Sequence, residues 1–419
     1  MIDTDAIVKI AYELSRKGFS HEFGQPEKEV KTEPIWDEVR KFGTRLWLDT
    51  GDINVAARLW CLQFEALTTN NTLLNKEVQK GIYDELIGEV AAAIRKVASD
   101  IDGKQFLLEV SFVLNAYHGL RLVELFDAHV SVELHTGLGN DVDRTVMYAQ
   151  RYYQICPERF YVKVPLTPAG FLAARRLSEQ KIPVNFTLGF SARQNYLAAL
   201  FAQPCYVNVF MGRLNSFVAD NNLGDGTNVG EKATLATQRE LLKLREAKRT
   251  KSLLIGASMR ESSHVTHLAG VDVYTIPPKV VADYLEHHTG QVSRRIEEDP
   301  PVPLAEDVTF ADFNAATLWK VPDAFKDCVE ELLKEDSDSL TPDDIQAHFE
   351  NGGFADLLPR WSDEDIKTAA ADGKIPVYDS WKERLESGKI GMDALMNLSA
   401  FCSFATAQKA LDDRIKSLV

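Results

Sequence analysis

Phe160-Tyr161-Val162-Lys163-Val164-Pro165-Leu166-Thr167-Pro168-Ala169-Gly170 sets one lysine among apolar residues and then changes character at once. Apolar side chains on both parities mark a strand buried on both faces, the habit of a parallel sheet. Thr167 reads as a helix N-cap and Pro168 as a first-turn proline. Lys163 is therefore expected near the carboxyl end of a buried strand that feeds a helix. An ammonium there is costly unless it is paired or loses its proton. A desolvated lysine amine is the nucleophile that forms Schiff bases with carbonyls. The plain alternative is a side chain that snorkels out of the strand end.

Outward from this stretch, similar short apolar segments recur at 46–49, 64–68, 130–133, 184–188, 206–210, 252–256 and 272–276. Helical patterns separate them, as at 170–177, 194–202 and 235–244, and a long, mostly helical span fills about 75–127. Eight buried strands alternating with helices predict an α/β fold, a closed (β/α)8 TIM barrel, which takes about 250 residues as one unit. Residues 1–45 read as an N-terminal helical extension, with helices over 5–18 and 35–42, and 46–298 as the barrel. The acidic, proline-rich run Glu297-Glu298-Asp299-Pro300-Pro301-Val302-Pro303 ends it. Residues 299–419 are acidic and helical, with a final helix over 392–418, and are expected to pack on the barrel or on a partner chain. A homodimer is one assembly this allows.

The chain carries 47 Lys and Arg against 62 Asp and Glu, a net charge of −15. That argues against nucleic acid or an anionic membrane as main partner, though a pocket can still be locally basic. The five cysteines are scattered, without CxxC spacing, so a reducing compartment and no zinc site are expected. The start Met1-Ile2-Asp3-Thr4-Asp5 shows no signal peptide, and no apolar run reaches membrane-span length. A cytoplasmic protein is the expectation.

In a parallel barrel all strand carboxyl ends share one rim, where such enzymes place their chemistry. The polar residues due there are Asp49, Thr68-Thr69-Asn70, Glu133, Lys163, Asn185 and Thr187, Asn208, Arg213, Ser258 and Arg260. An amine between carboxylates on neighbouring strands is the equipment for forming and dehydrating a carbinolamine. Arg213 and Arg260 fall where barrels bind phosphate, with rim salt bridges as the alternative.

These residues, in this order, resemble the transaldolase family of Schiff-base barrel enzymes. The likeness runs from about Leu46 to about His288. It is strongest at Leu48-Asp49-Thr50-Gly51-Asp52-Ile53, at 160–170, at Val184-Asn185-Phe186-Thr187-Leu188-Gly189-Phe190-Ser191, and at Phe210-Met211-Gly212-Arg213 with Gly256-Ala257-Ser258-Met259-Arg260. The last helix, with Phe404, Gln408, Leu411 and Ile415, is similar to the family's closing helix. The resemblance implies Lys163 as Schiff-base lysine, and Glu133 (with Thr187 through a water) and Asp49 as the proton-handling carboxylates. It implies Asn70 and Asn185 as holders of a dihydroxyacetone unit, with Asn208, Phe210 and Ser258 beside the substrate. Arg213 and Arg260 match the sugar-phosphate pair. No metal or organic cofactor is implied; the partners are sugar phosphates, such as sedoheptulose 7-phosphate or fructose 6-phosphate. A tyrosine at Phe210 would instead point to a simple fructose 6-phosphate aldolase.

Some positions depart from the family pattern. Thr69-Asn70-Asn71-Thr72-Leu73 lacks its proline, Asn208 replaces its serine, and His135-Thr136-Gly137-Leu138-Gly139 is unusual. Residues 305–390 have no recognised counterpart. They motivate two alternatives: a Schiff-base aldolase acting on another sugar, and a non-catalytic scaffold built on the barrel. Among weaker signals, Gly137-x-Gly139 has no dinucleotide fingerprint. His264 and His267 read as ordinary histidines without a carboxylate partner. The stretch 221–228 reads as a mobile, exposed connection, with a lid as the alternative.

Overall fold

Strands of four to six residues with both faces buried can only be satisfied by helices outside and a packed interior within. In the computed structural model, which describes residues 4–25 and 30–419, they do this by closing on themselves. Strands β1 (Arg45–Asp49), β2 (Phe64–Thr68), β3 (His129–Glu133), β4 (Phe160–Pro165), β5 (Val184–Thr187), β6 (Tyr206–Phe210), β7 (Leu253–Ala257) and β8 (Val273–Ile276) pair in chain order, all parallel, and β8 returns to β1. The fold is a (β/α)8 barrel with added helices.

Alternation along each strand sorts the side chains. Phe160, Val162 and Val164 join the apolar layer beneath the outer helices. Tyr161 points inward, where it stacks on Trp47 (ring centroids 5.5 Å) and meets Tyr206 edge-on (5.1 Å). These rings, with Ala66, Ile255 and Val273, plug the barrel floor. Two residues on, Lys163 stands on the same inner face above the plug.

The helix Pro168–Glu179 starts as its sequence dictates, with Thr167 accepting a hydrogen bond from Gly170 N at 2.8 Å. The long span resolves into helices Asn71–Val78, Asp84–Val97 and Gly103–Phe126. The last is, by length and composition, apolar enough to cross a membrane, against the sequence expectation, but 89% of its apolar window is buried. It lies between β3, the N-terminal helix Thr4–Ser15 and the C-terminal helix Met392–Lys416.

Other departures are local. The first helix stops at Ser15, and 35–42 divides into a 3-10 turn (Pro34–Trp36) and a short helix (Asp37–Arg40). Strand β5 ends before Leu188, whose φ of +68° breaks the extended run. The stretch 221–228 is tied down rather than loose. Gly224 bridges Leu304, Ala305 N donates to Leu223 O (3.0 Å) and Asn228 Nδ2 to Pro301 O (2.8 Å). Met1–Asp3 of the acidic start, and 26–29 of the charged link, lie outside the described residues.

The tail wraps the barrel. Helix Pro342–Asn351 packs on Pro168–Glu179, and Ala316–Trp319 packs on Val229–Glu246. Met392–Lys416 lies against Asn71–Val78 and the turn Thr136–Leu138, at the carboxyl rim of the strands.

Candidate active site

The β3–β4 register sets Glu133 beside Lys163, and the β4–β5 register sets Asn185 on the other flank. Lys163 Nζ lies 3.5 Å from Glu133 Oε1, and the two residues are 3% and 4% exposed. The amine faces the interior, not the outer helices. Burial pushes the Glu133 carboxyl up, opposed by the Lys163 ammonium and by a hydrogen bond from Asn71 N to Oε2 (2.8 Å). Asp49 closes β1 on the same inner face. Burial raises it to about 6, partly offset by Lys163, while Glu133 raises it further. Two carboxylates and one amine thus share one low-dielectric space, each setting the charge its neighbours can carry.

Below and beside the amine lies an amide ladder. Asn208 Nδ2 donates to Asn185 Oδ1 (2.7 Å) and to Phe186 O (3.0 Å), and Asn185 Nδ2 donates to Ser131 Oγ (2.9 Å). Asn195 Nδ2 donates to Asn208 O (2.9 Å), locking the ladder from outside. Thr187 Oγ1, opposite Pro165 in the register, is buried without a protein partner. Asn70 caps helix Asn71–Val78 by accepting a hydrogen bond from Leu73 N at Oδ1 (2.9 Å), a bond that fixes the side chain while leaving its amide nitrogen to donate to a ligand. Phe210 ends β6 and packs on Phe190.

The arginines form a second centre. Arg213 is 6% exposed, and burial with the nearby Arg260 depresses it to about 10. Arg260 is exposed and lies across Gly212, where a Cβ would meet Arg260 Nε at 2.9 Å and Ser258 O at 2.0 Å. Ser258 adopts φ +64°, the left-handed region that a non-glycine residue enters at some strain. Phe404, from the closing helix, links the centres: Lys163 Nζ and Arg213 Cζ each lie 5.7 Å from its ring centroid.

Sequence reading passed over several participants. Phe404 reads there only as one of the residues by which the last helix resembles the family's closing helix, with no place at the site. Asn71 fills the place of the missing proline, and its N–H is the donor to Glu133 that a proline lacks. Its side chain donates to Leu134 O (3.1 Å) and accepts from Asn115 (3.1 Å). His135 accepts from Gly137 N (3.0 Å) and faces Asp412 of the closing helix (3.3 Å), so the unusual loop is a fastening for that helix. Asn397 of the same helix donates to Leu166 O (3.0 Å) and Leu188 O (2.8 Å), just past β4 and β5. One expectation fails: His264 does have a carboxylate nearby, Glu231 at 3.4 Å, and burial lowers the imidazole to about 4. Glu231 lies on the preceding long helix, Val229–Glu246, which spacing alone does not bring to His264.

Residues 46–336 match the family described as transaldolase/fructose-6-phosphate aldolase. The match runs past the acidic, proline-rich stretch at 297–303. The chain is similar to a transaldolase of Xanthomonas euvesicatoria, 29% identical over 59% of this chain and 77% of the relative. It is also similar to those of Rhizobium leguminosarum, 27% identical over 64% and 85%, and Cricetulus griseus, 27% over 64% and 79%. With more than half its length matched, the chain belongs to the transaldolase/fructose-6-phosphate aldolase family.

Proposed function

We propose that this protein is a transaldolase that moves a dihydroxyacetone unit between sugar phosphates through a Schiff base on Lys163. The observation that carries the reading is the Lys163–Glu133 pair, buried at 3.5 Å inside a closed barrel with Asp49 on the same face.

The neutral amine adds to the ketose carbonyl, and Glu133 supplies the proton that lets the carbinolamine oxygen leave as water. Its raised pKa suits this, since it holds a proton closer to neutral pH. Thr187, with its uncommitted hydroxyl, orders the water through which Glu133 works. Asp49 then takes the proton of the C4 hydroxyl. The C3–C4 bond breaks, its electron pair flows into the iminium, and an aldose phosphate leaves. The enamine left on Lys163 adds to an acceptor aldehyde phosphate, and the steps reverse. Asn70 and Asn185, the latter steadied by Asn208, hold the dihydroxyacetone hydroxyls, while Phe210 and Ser258 border them. Arg213 and Arg260 bind the phosphate. Borohydride reduction with fructose 6-phosphate, read by mass spectrometry, should place a dihydroxyacetone-sized adduct on Lys163. An adduct elsewhere, or none, sinks the proposal. A fructose 6-phosphate aldolase is the second reading, since the family includes it; free dihydroxyacetone released instead of transferred to erythrose 4-phosphate would favour it.

A further inference from the structure

The rim holds more positive charge than two phosphate-binding arginines require. Lys374 belongs to a short strap, 373–377, between helices Asp363–Asp372 and Tyr378–Glu386. The strap lies outside the residues that match the family. It is tied to the rim and to its own flanking helices along most of its length. Ser399 Oγ donates to Gly373 O (3.1 Å), Arg213 Nη1 to Lys374 O (3.2 Å) and Asn221 Nδ2 to Pro376 O (3.0 Å). Tyr378 N donates to Asn221 Oδ1 (2.8 Å), and Val377 N and Trp381 Nε1 both donate to the Asp372 carboxylate (3.1 and 2.9 Å). Gly373 turns into the strap at φ +84°.

These bonds fix the Lys374 backbone against the Arg213 guanidinium while its side chain stays exposed. Elsewhere buried cations are matched: Arg193 by Asp356 and Asp393, Arg151 by Glu109. Here, among the described residues, neither Arg213 nor Lys374 forms an ion pair with a carboxylate. Partial desolvation at its rim-side end, and repulsion by Arg213, Arg260 and Lys76, push the Lys374 ammonium below its usual value, and an anion would relieve that repulsion.

We propose that Lys374 is a third cationic anchor for the substrate's phosphate, supplied by the C-terminal extension, and so a determinant of preference for phosphorylated over neutral ketoses. The inference rests on the transaldolase reading for its substrate, but not for its anion.

The test is the full-length Lys374→Met variant, whose exposed position leaves folding undisturbed. Calorimetry with inorganic phosphate should show affinity about tenfold weaker than in the parent, the size expected for one lost charge-assisted hydrogen bond. Lys374→Arg should restore most of it. Borohydride trapping should show the fructose 6-phosphate to dihydroxyacetone rate ratio falling about tenfold. Unchanged phosphate affinity overturns the proposal, as does an equal fall for both ketones, which would make Lys374 only a strap-holding residue. If the parent traps neither ketone yet phosphate binding still weakens tenfold in the variant, the anchor stands and the transaldolase reading falls.

Discussion

Asp49→Asn should stabilise this protein while abolishing its proposed chemistry. In the native barrel the Asp49 carboxyl is raised from its ordinary 3.8 to about 6, because burial outweighs the help of Lys163. The unfolded chain titrates near the ordinary value. Between about pH 4 and 6 the native state binds the extra proton, so stability falls as pH rises through that window. Above it, holding Asp49 ionised costs roughly 3 kcal/mol, at 1.36 kcal/mol per tenfold change in acidity. Asparagine is the shape of the neutral acid and carries no such cost. The variant should therefore be on the order of 2–3 kcal/mol more stable than the parent at pH 8 and equal to it near pH 4. Urea unfolding at the two pH values, with unchanged slope, measures this. A variant less stable at pH 8, or a difference independent of pH, refutes the electrostatic account of the site.

Lys163→Ala should lose both turnover and borohydride trapping; trapping that persists would move the Schiff base to another residue. Asn71→Pro keeps a residue suited to the first turn of its helix but removes the N–H bond to Glu133 and strands Asn115. The alkaline limb of kcat/KM should move to higher pH, because Glu133 acts as the proton donor and its ionised form loses a stabilising hydrogen bond; an unmoved limb would show that the contact is inert. Gly212→Ala would drive a methyl into Ser258 O and the Arg260 side chain. A loss of about 1–3 kcal/mol in stability and a raised KM for phosphorylated sugars are expected. A raised KM for dihydroxyacetone as well would mean the damage is not confined to the phosphate site.

The barrel was legible because its strands are short, apolar on both parities and regularly spaced by helices; all eight fall within a residue or two of their reading. Lys163 and Glu133 could be paired from sequence because parallel strands in register bring equivalent positions side by side. Asn208 was legible as a rim residue, but not as the donor that steadies Asn185, because strand pattern gives a face and not a rotamer. Phe404, Asn397 and Lys374 arrive from the far end of the chain, and no local periodicity reports a contact across more than 150 residues. The fastening of 221–228 was hidden for the same reason: a run of Asn, Asp and Gly looks loose until 301–305 lies beside it. His264 shows the converse error, since an acid distant in sequence supplies its neighbour.

Asn397 reaches the backbone of two wall strands from the last helix, spanning 231 and 209 residues of chain. During synthesis the barrel can close once β8 has emerged, but its open end stays unfinished until the helix Met392–Lys416 is made. A nascent or C-terminally clipped chain is thus expected to hold a folded wall around an amine that has no aromatic cover and no clamp on its flanking strands. The proposed activity thus depends on a helix made more than 100 residues after the last wall strand.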